Sequence, residues 1–131
     1  MVTPACSTFS RALFANADGP RPLRDATYPE GFPWLQGADQ IKVNAGTALL
    51  KFAHELLQTA KQSNLFWLEE FPEDLGTRSN GFTPASPFRS AAFREFVDKS
   101  DGGSIAFFRC QWPDEVARKP SRFSTNVPTL T

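Results

Sequence analysis

The chain has 131 residues with 14 basic and 14 acidic side chains, so its formal charge is zero and no global basic field exists to hold a nucleic-acid backbone. A composition of 40% hydrophobic and 21% charged residues excludes a disordered chain, and no apolar run approaches the roughly 18 residues that span a bilayer. Two cysteines make no disulfide framework, which points to a reducing, intracellular compartment, cytoplasmic or nuclear.

The length suits one small domain. Residues 1–40 are expected to hold a cysteine-bearing turn and a Pro-rich loop, and 41–131 an α/β core. Pro20, Pro22, Pro29 and Pro33 alternate with Gly19, Gly31 and Gly37 and break regular structure. Tyr28 to Leu35 reads as an aromatic-bearing loop laid over the core. Residues 44–62 carry the strongest helical pattern. Leu49, Phe52, Ala53, Leu56 and Ala60 form one stripe, Leu50 and Leu57 lie beside it, and Lys51, Glu55, Gln58 and Lys61 lie opposite. Asn44 is the expected N-cap and Ser63-Asn64 the stop. Leu65 to Leu68 follows at once as a short buried strand ending in Glu69-Glu70. A helix feeding a buried strand is the second half of a βαβ unit, which predicts parallel strands.

A loop through Gly76, Asn80-Gly81 and Pro84 leads to Ser86-Pro87, a cap-and-proline start for a second helix. Phe88, Ala91, Ala92, Phe93, Phe96 and Val97 supply its apolar face. Asp101-Gly102-Gly103 ends it. Ser104 to Cys110 and Arg122 to Asn126 read as two further strands.

Three stretches could carry chemistry. Cys6, in Pro4-Ala5-Cys6-Ser7-Thr8, is either a small buried hydrophobe or a nucleophile activated by a nearby cation such as Arg11 or by the turn at Ser10. Glu69-Glu70 is either solvated loop or a carboxylate pair at a strand end, where open α/β sheets bind ligands. The cluster Arg118-Lys119-Pro120-Ser121-Arg122 is either a solvated loop or a contact for phosphate. His54, the one histidine, has no second His or Cys at ligand spacing, so neither a metal site nor a Ser-His-Asp triad is expected. No GxxxxGK or GxGxxG phosphate loop is present.

In this order, the three stretches resemble the DNA cytosine-5 methyltransferases, in particular a divergent, often retroelement-associated group. "PACSTFSRA" is similar to the family's Pro-Pro-Cys loop, "FWLEEFP" to the buried strand ending in Glu-Asn-Val or Glu-Asn-Pro, and "ARKPSRFSTN" to an Arg-Lys-Pro-Thr-Arg-Phe segment. "DGPRPLR" after the cysteine loop suits the same group. The resemblance implies a partial Rossmann-like methyltransferase sheet of about three strands with two main helices. It implies catalytic roles for three residues. Cys6 would attack carbon 6 of a flipped-out cytosine, Glu69 would hold ring nitrogen 3, and Arg122, or Arg118, would support the nucleophile loop. It further implies Ser10, Arg11, Arg118 and Lys119 as substrate contacts, DNA as a partner and S-adenosylmethionine as cofactor, with no cofactor-binding residue assigned.

Several positions depart from that pattern. Ala5 replaces the second proline, Glu70 the asparagine after the glutamate, and Pro113 a glycine near Trp112. The family's glycine-containing donor loop is not found before Cys6. The expectation is a truncated remnant or partial methyltransferase-like domain, inactive as an isolated chain, with an exposed sheet edge covered by a partner chain or a second copy. The alternative is a non-enzymatic protein-interaction domain that binds through its aromatic loops.

Overall fold

The computed structural model describes residues 1–9, 13, 19–108 and 120–128. The described elements are α1 (Gly37–Gln62), β1 (Leu68–Pro72), α2 (Ala91–Lys99), β2 (Gly103–Phe108) and β3 (Pro120–Thr125), with a 3-10 turn over Pro87–Arg89. The molecule is mixed α/β. Its three strands form one sheet in the order β1-β3-β2.

Every pairing among these strands is antiparallel, which corrects the expected parallel neighbours. The reason is the order: β3 is inserted between β1 and β2, so the two outer strands run the same way with a reversed strand between them. Parallel pairing does occur on the other edge of β1. There Val2 bridges Glu69, with Val2 N–H donating to Leu68 O at 2.8 Å and Glu70 N–H donating to Val2 O at 3.0 Å. The chain leaves Val2, crosses through α1 and returns as β1, which is a parallel crossover reduced to a single bridge.

α1 starts seven residues earlier than its periodicity predicts. Gln36 is the N-cap and makes no side-chain bond, Asp39 lies in the first turn where it favours the helix dipole, and Asn44 is an interior residue. The helix therefore crosses the expected boundary at residue 40. Its end is as predicted. Asn64 takes a left-handed φ of 54°, Leu65 N–H bonds Ala60 O, and Asn64 N–H bonds Lys61 O, a Schellman stop. α2 ends the same way on Asp101, with φ 50°. It begins later than predicted, because Ser86-Pro87 caps only the 3-10 turn and Ser90 caps α2 itself, accepting from Phe93 N–H. Ser90→Ala is expected to lower the unfolding free energy by about 1 kcal/mol, read by urea denaturation.

In an antiparallel ladder, opposite residues share a face. Glu69, Ser124 and Ser104 therefore stand on one face, together with Phe71, Arg122 and Ala106. Both helices pack there. Leu57 of α1 and Phe93 of α2 meet Trp67 in one cluster, and Leu50 of α1 supports a second made by Phe9, Phe71 and Ala85. A third cluster joins Leu23, Leu35 and Val43, with Phe32 against it. The loop 28–35 thus covers the start of α1 with Leu35 and Phe32, while Tyr28 and Trp34 remain exposed.

The buried side of α1 is not the predicted stripe. Val43, Gly46, Ala53 and Leu57 are buried, whereas Leu49, Phe52 and Leu56 are exposed. No helix among the described residues is long and apolar enough to cross a membrane.

Candidate functional site

β1 carries Glu69 as its second residue, so Glu69-Glu70 lies inside the strand and not at its tip, as the sequence pattern predicted. Alternation sends Glu69 and Phe71 inward to α1 and Glu70 to the other face. Glu69 is fully buried. Its Oε1 lies 3.2 Å from Nε2 of His54, whose side chain is 25% exposed. That contact has ion-pair distance without hydrogen-bond geometry, and neither Glu69 oxygen has a hydrogen-bond partner among the described residues. Phe93 stacks on the His54 ring at 4.6 Å and fixes its plane.

Cys6 is a free, half-buried thiol in the turn closed by Phe9 N–H donating to Cys6 O at 2.9 Å. It packs against the cluster of Phe9, Phe71 and Ala85. Cys6 and Glu69 therefore lie on the same side of β1, with Phe71 two residues, about 7 Å, along the strand from Glu69. Beside that cluster a crevice of about 20 Å³ holds at most a water and is too small for a pyrimidine ring.

An arginine does support the cysteine turn, and it is Arg24. Its guanidinium is buried 4.0 Å from the centre of the Phe9 ring. It donates to Pro29 O and Val43 O, each at 2.8 Å, and to Thr47 Oγ1 at 3.1 Å. Burial pushes its pKa down to about 10, and Glu30 opposes that shift. Gly46 lets α1 approach here: a Cβ would lie 2.9 Å from Thr8 Oγ1 and 3.3 Å from Arg24 Nη2.

Arg122 lies elsewhere. It forms a two-point pair with Glu73 at 3.1 and 3.0 Å and donates to Ser104 at 2.6 Å. It lines a cleft of about 410 Å³ with Phe88, Phe93, Asp98 and Ser124, and neither Cys6 nor Glu69 lines that cleft. Ser10, Arg11, Arg118 and Lys119 lie outside the described residues.

The sequence pattern singled out Cys6 and Glu69 but assigned no role to His54 or Arg24, which lie against Glu69 and Phe9. Neither carries a spacing signal. His54 looks like any half-buried helix residue, and Arg24, which ends the DGPRPLR stretch beside Asp25, carries no local sign of the carbonyls it meets. Among the described residues no group of three His, Cys, Asp or Glu side chains could hold a metal. In the cleft that Arg122 lines, two carboxylates are engaged, Glu73 with Arg122 and Asp74 with Arg89. No protein-family model, curated protein or solved structure matches this chain.

Proposed function

We propose that the chain is a remnant or partial domain of the DNA cytosine-5 methyltransferase type, inactive alone in the closed arrangement described, with Cys6 in the nucleophile's place and Glu69 in that of the carboxylate at ring nitrogen 3. One observation carries this reading. Val2 leads into the cysteine turn as a parallel neighbour of β1 at Glu69, and Cys6 and Glu69 share the α1 side of that strand. The chemistry these residues would perform is addition. The Cys6 thiolate forms a bond to carbon 6, the ring's electron pair moves toward carbon 5, and a proton shared between the Glu69 carboxyl and nitrogen 3 stabilises that charge. Elimination of the thiolate reverses the step. The seal over Glu69 supports inactivity, since a base reaches it only if the His54 side or the cysteine turn opens.

A DNA oligonucleotide carrying 2-pyrimidinone in place of cytosine accepts a thiolate at carbon 6 and tests the reading without a methyl donor. The expected result is a slow, denaturant-stable adduct that is absent in Cys6→Ser and reduced in Glu69→Gln. The Cys6→Ser chain is expected to lose about 1 kcal/mol or less of stability, because the site is half-buried and the change nearly isosteric. No adduct at any concentration would sink the proposal.

That outcome would favour an interaction domain, which a second observation supports. Tyr28, Phe32 and Trp34 form one ring cluster, with Phe32 and Trp34 stacked at 4.7 Å and Tyr28 edge-on to both. Trp34 is 64% exposed, and exposed aromatic clusters of this kind anchor protein interfaces.

A further inference from the structure

α1 has two apolar faces, and the described residues bury one of them. Ile41, Ala45, Ala48, Leu49, Phe52 and Leu56 fall within an arc of about 100° at 100° per residue. The buried residues Val43, Gly46, Ala53 and Leu57 centre about 130° away. The first set stands in water: Ile41 is 70% exposed, Leu49 49%, Phe52 57% and Leu56 44%, and both alanines are exposed. These four large side chains leave on the order of 400 Å² of apolar surface, the size that marks an association site on a soluble chain.

We propose that a second copy of this chain covers this face, with the two α1 helices packed antiparallel about a two-fold axis between Ala48 and Leu49. The pattern of the face argues for a copy over an unrelated partner, because it complements itself. About that axis Ile41 falls opposite Leu56 of the second copy, Ala45 opposite Phe52, and Ala48 opposite Leu49. In the two inner layers a large side chain meets an alanine. Ile41, Ala45, Ala48 and Phe52 also follow the four-three-four spacing of interlocking helices, and the alanines permit an approach of about 8 Å. The overlap of 16 residues is about 24 Å long. Even with the alanines the face stays below the roughly 800 Å² per partner of a standard interface, which places the pair at the weak end of association. An isologous contact closes on itself and leaves no open surface for further growth.

Sedimentation equilibrium of the full chain up to about 100 µM tests this at the weak end of specific association. The wild type is expected to rise toward twice the monomer mass. Phe52→Glu and Leu49→Glu should remain monomeric with unchanged helical circular dichroism, since both side chains already face solvent. Ile105→Glu, on the exposed side of β2, should dimerise as the wild type does. A wild type that is monomeric throughout overturns the proposal. So does a dimer that survives Phe52→Glu, or one abolished by Ile105→Glu, which would put the contact on the sheet.

Discussion

Replacing Phe71 with Ala is expected to lower the unfolding free energy by about 3–5 kcal/mol, the range for deleting a buried aromatic ring. Phe71 is 1% exposed. It meets Phe9 edge-on at 5.4 Å and Phe88 at 6.2 Å. The ring therefore ties three separate segments together: the cysteine turn, β1 and the 3-10 turn before α2. A domain of this size has a total stability of only about 5–15 kcal/mol, so the variant stands near the limit of folding. Urea denaturation reads the loss. A second readout is specific to the site. Cys6 packs against the cluster that Phe71 anchors, so its reaction with a thiol reagent under native conditions should quicken several-fold. Phe71→Leu, which keeps most of the volume, should fall well short of both effects. A loss below about 1 kcal/mol in Phe71→Ala would show that the cluster collapses around the gap and does not hold the turn.

His54→Ala should be the second large effect, about 3 kcal/mol at neutral pH. The imidazole lies 3.2 Å from a fully buried carboxyl group. Removing it takes that polar group away from the buried carboxyl and opens a gap against Phe93. The asymmetric counterpart is Glu69→Gln. It replaces a carboxyl group whose oxygens lack hydrogen-bond partners among the described residues, and it keeps the shape. Its expected change is within about 1 kcal/mol of zero or stabilising. The double variant should recover most of the His54→Ala loss, and thermal and urea unfolding of the four chains measures that coupling. If Glu69→Gln destabilises as much as His54→Ala, the carboxylate is a structural element with partners that the arrangement at 3.2 Å does not include. A Glu69 that costs stability and is nonetheless kept buried beside the cysteine turn is what a site residue would look like.

Local chemistry made part of this legible in advance. The stop at Ser63-Asn64 and the break at Asp101-Gly102 could be read because a left-handed residue closes a helix through bonds within a few positions. The three strand segments were also visible, though β1 slid toward its carboxyl end and carried Glu69-Glu70 inside the ladder. A strand's bounds depend on what it pairs with. The partner of β1 is Pro120–Thr125, some fifty residues away, and no pattern within Leu65 to Pro72 announces it.

The sequence by itself determined a mixed α/β fold and the carboxyl ends of its two helices. Tertiary structure alone decided the rest: β3 inserted between β1 and β2, both helices on one face, His54 against Glu69 and Arg24 under the cysteine turn. It also decided which side of α1 is buried, because the helix is apolar through most of its circumference. Hydrophobic periodicity marks which residues can leave water, and only the available partner surface selects among them.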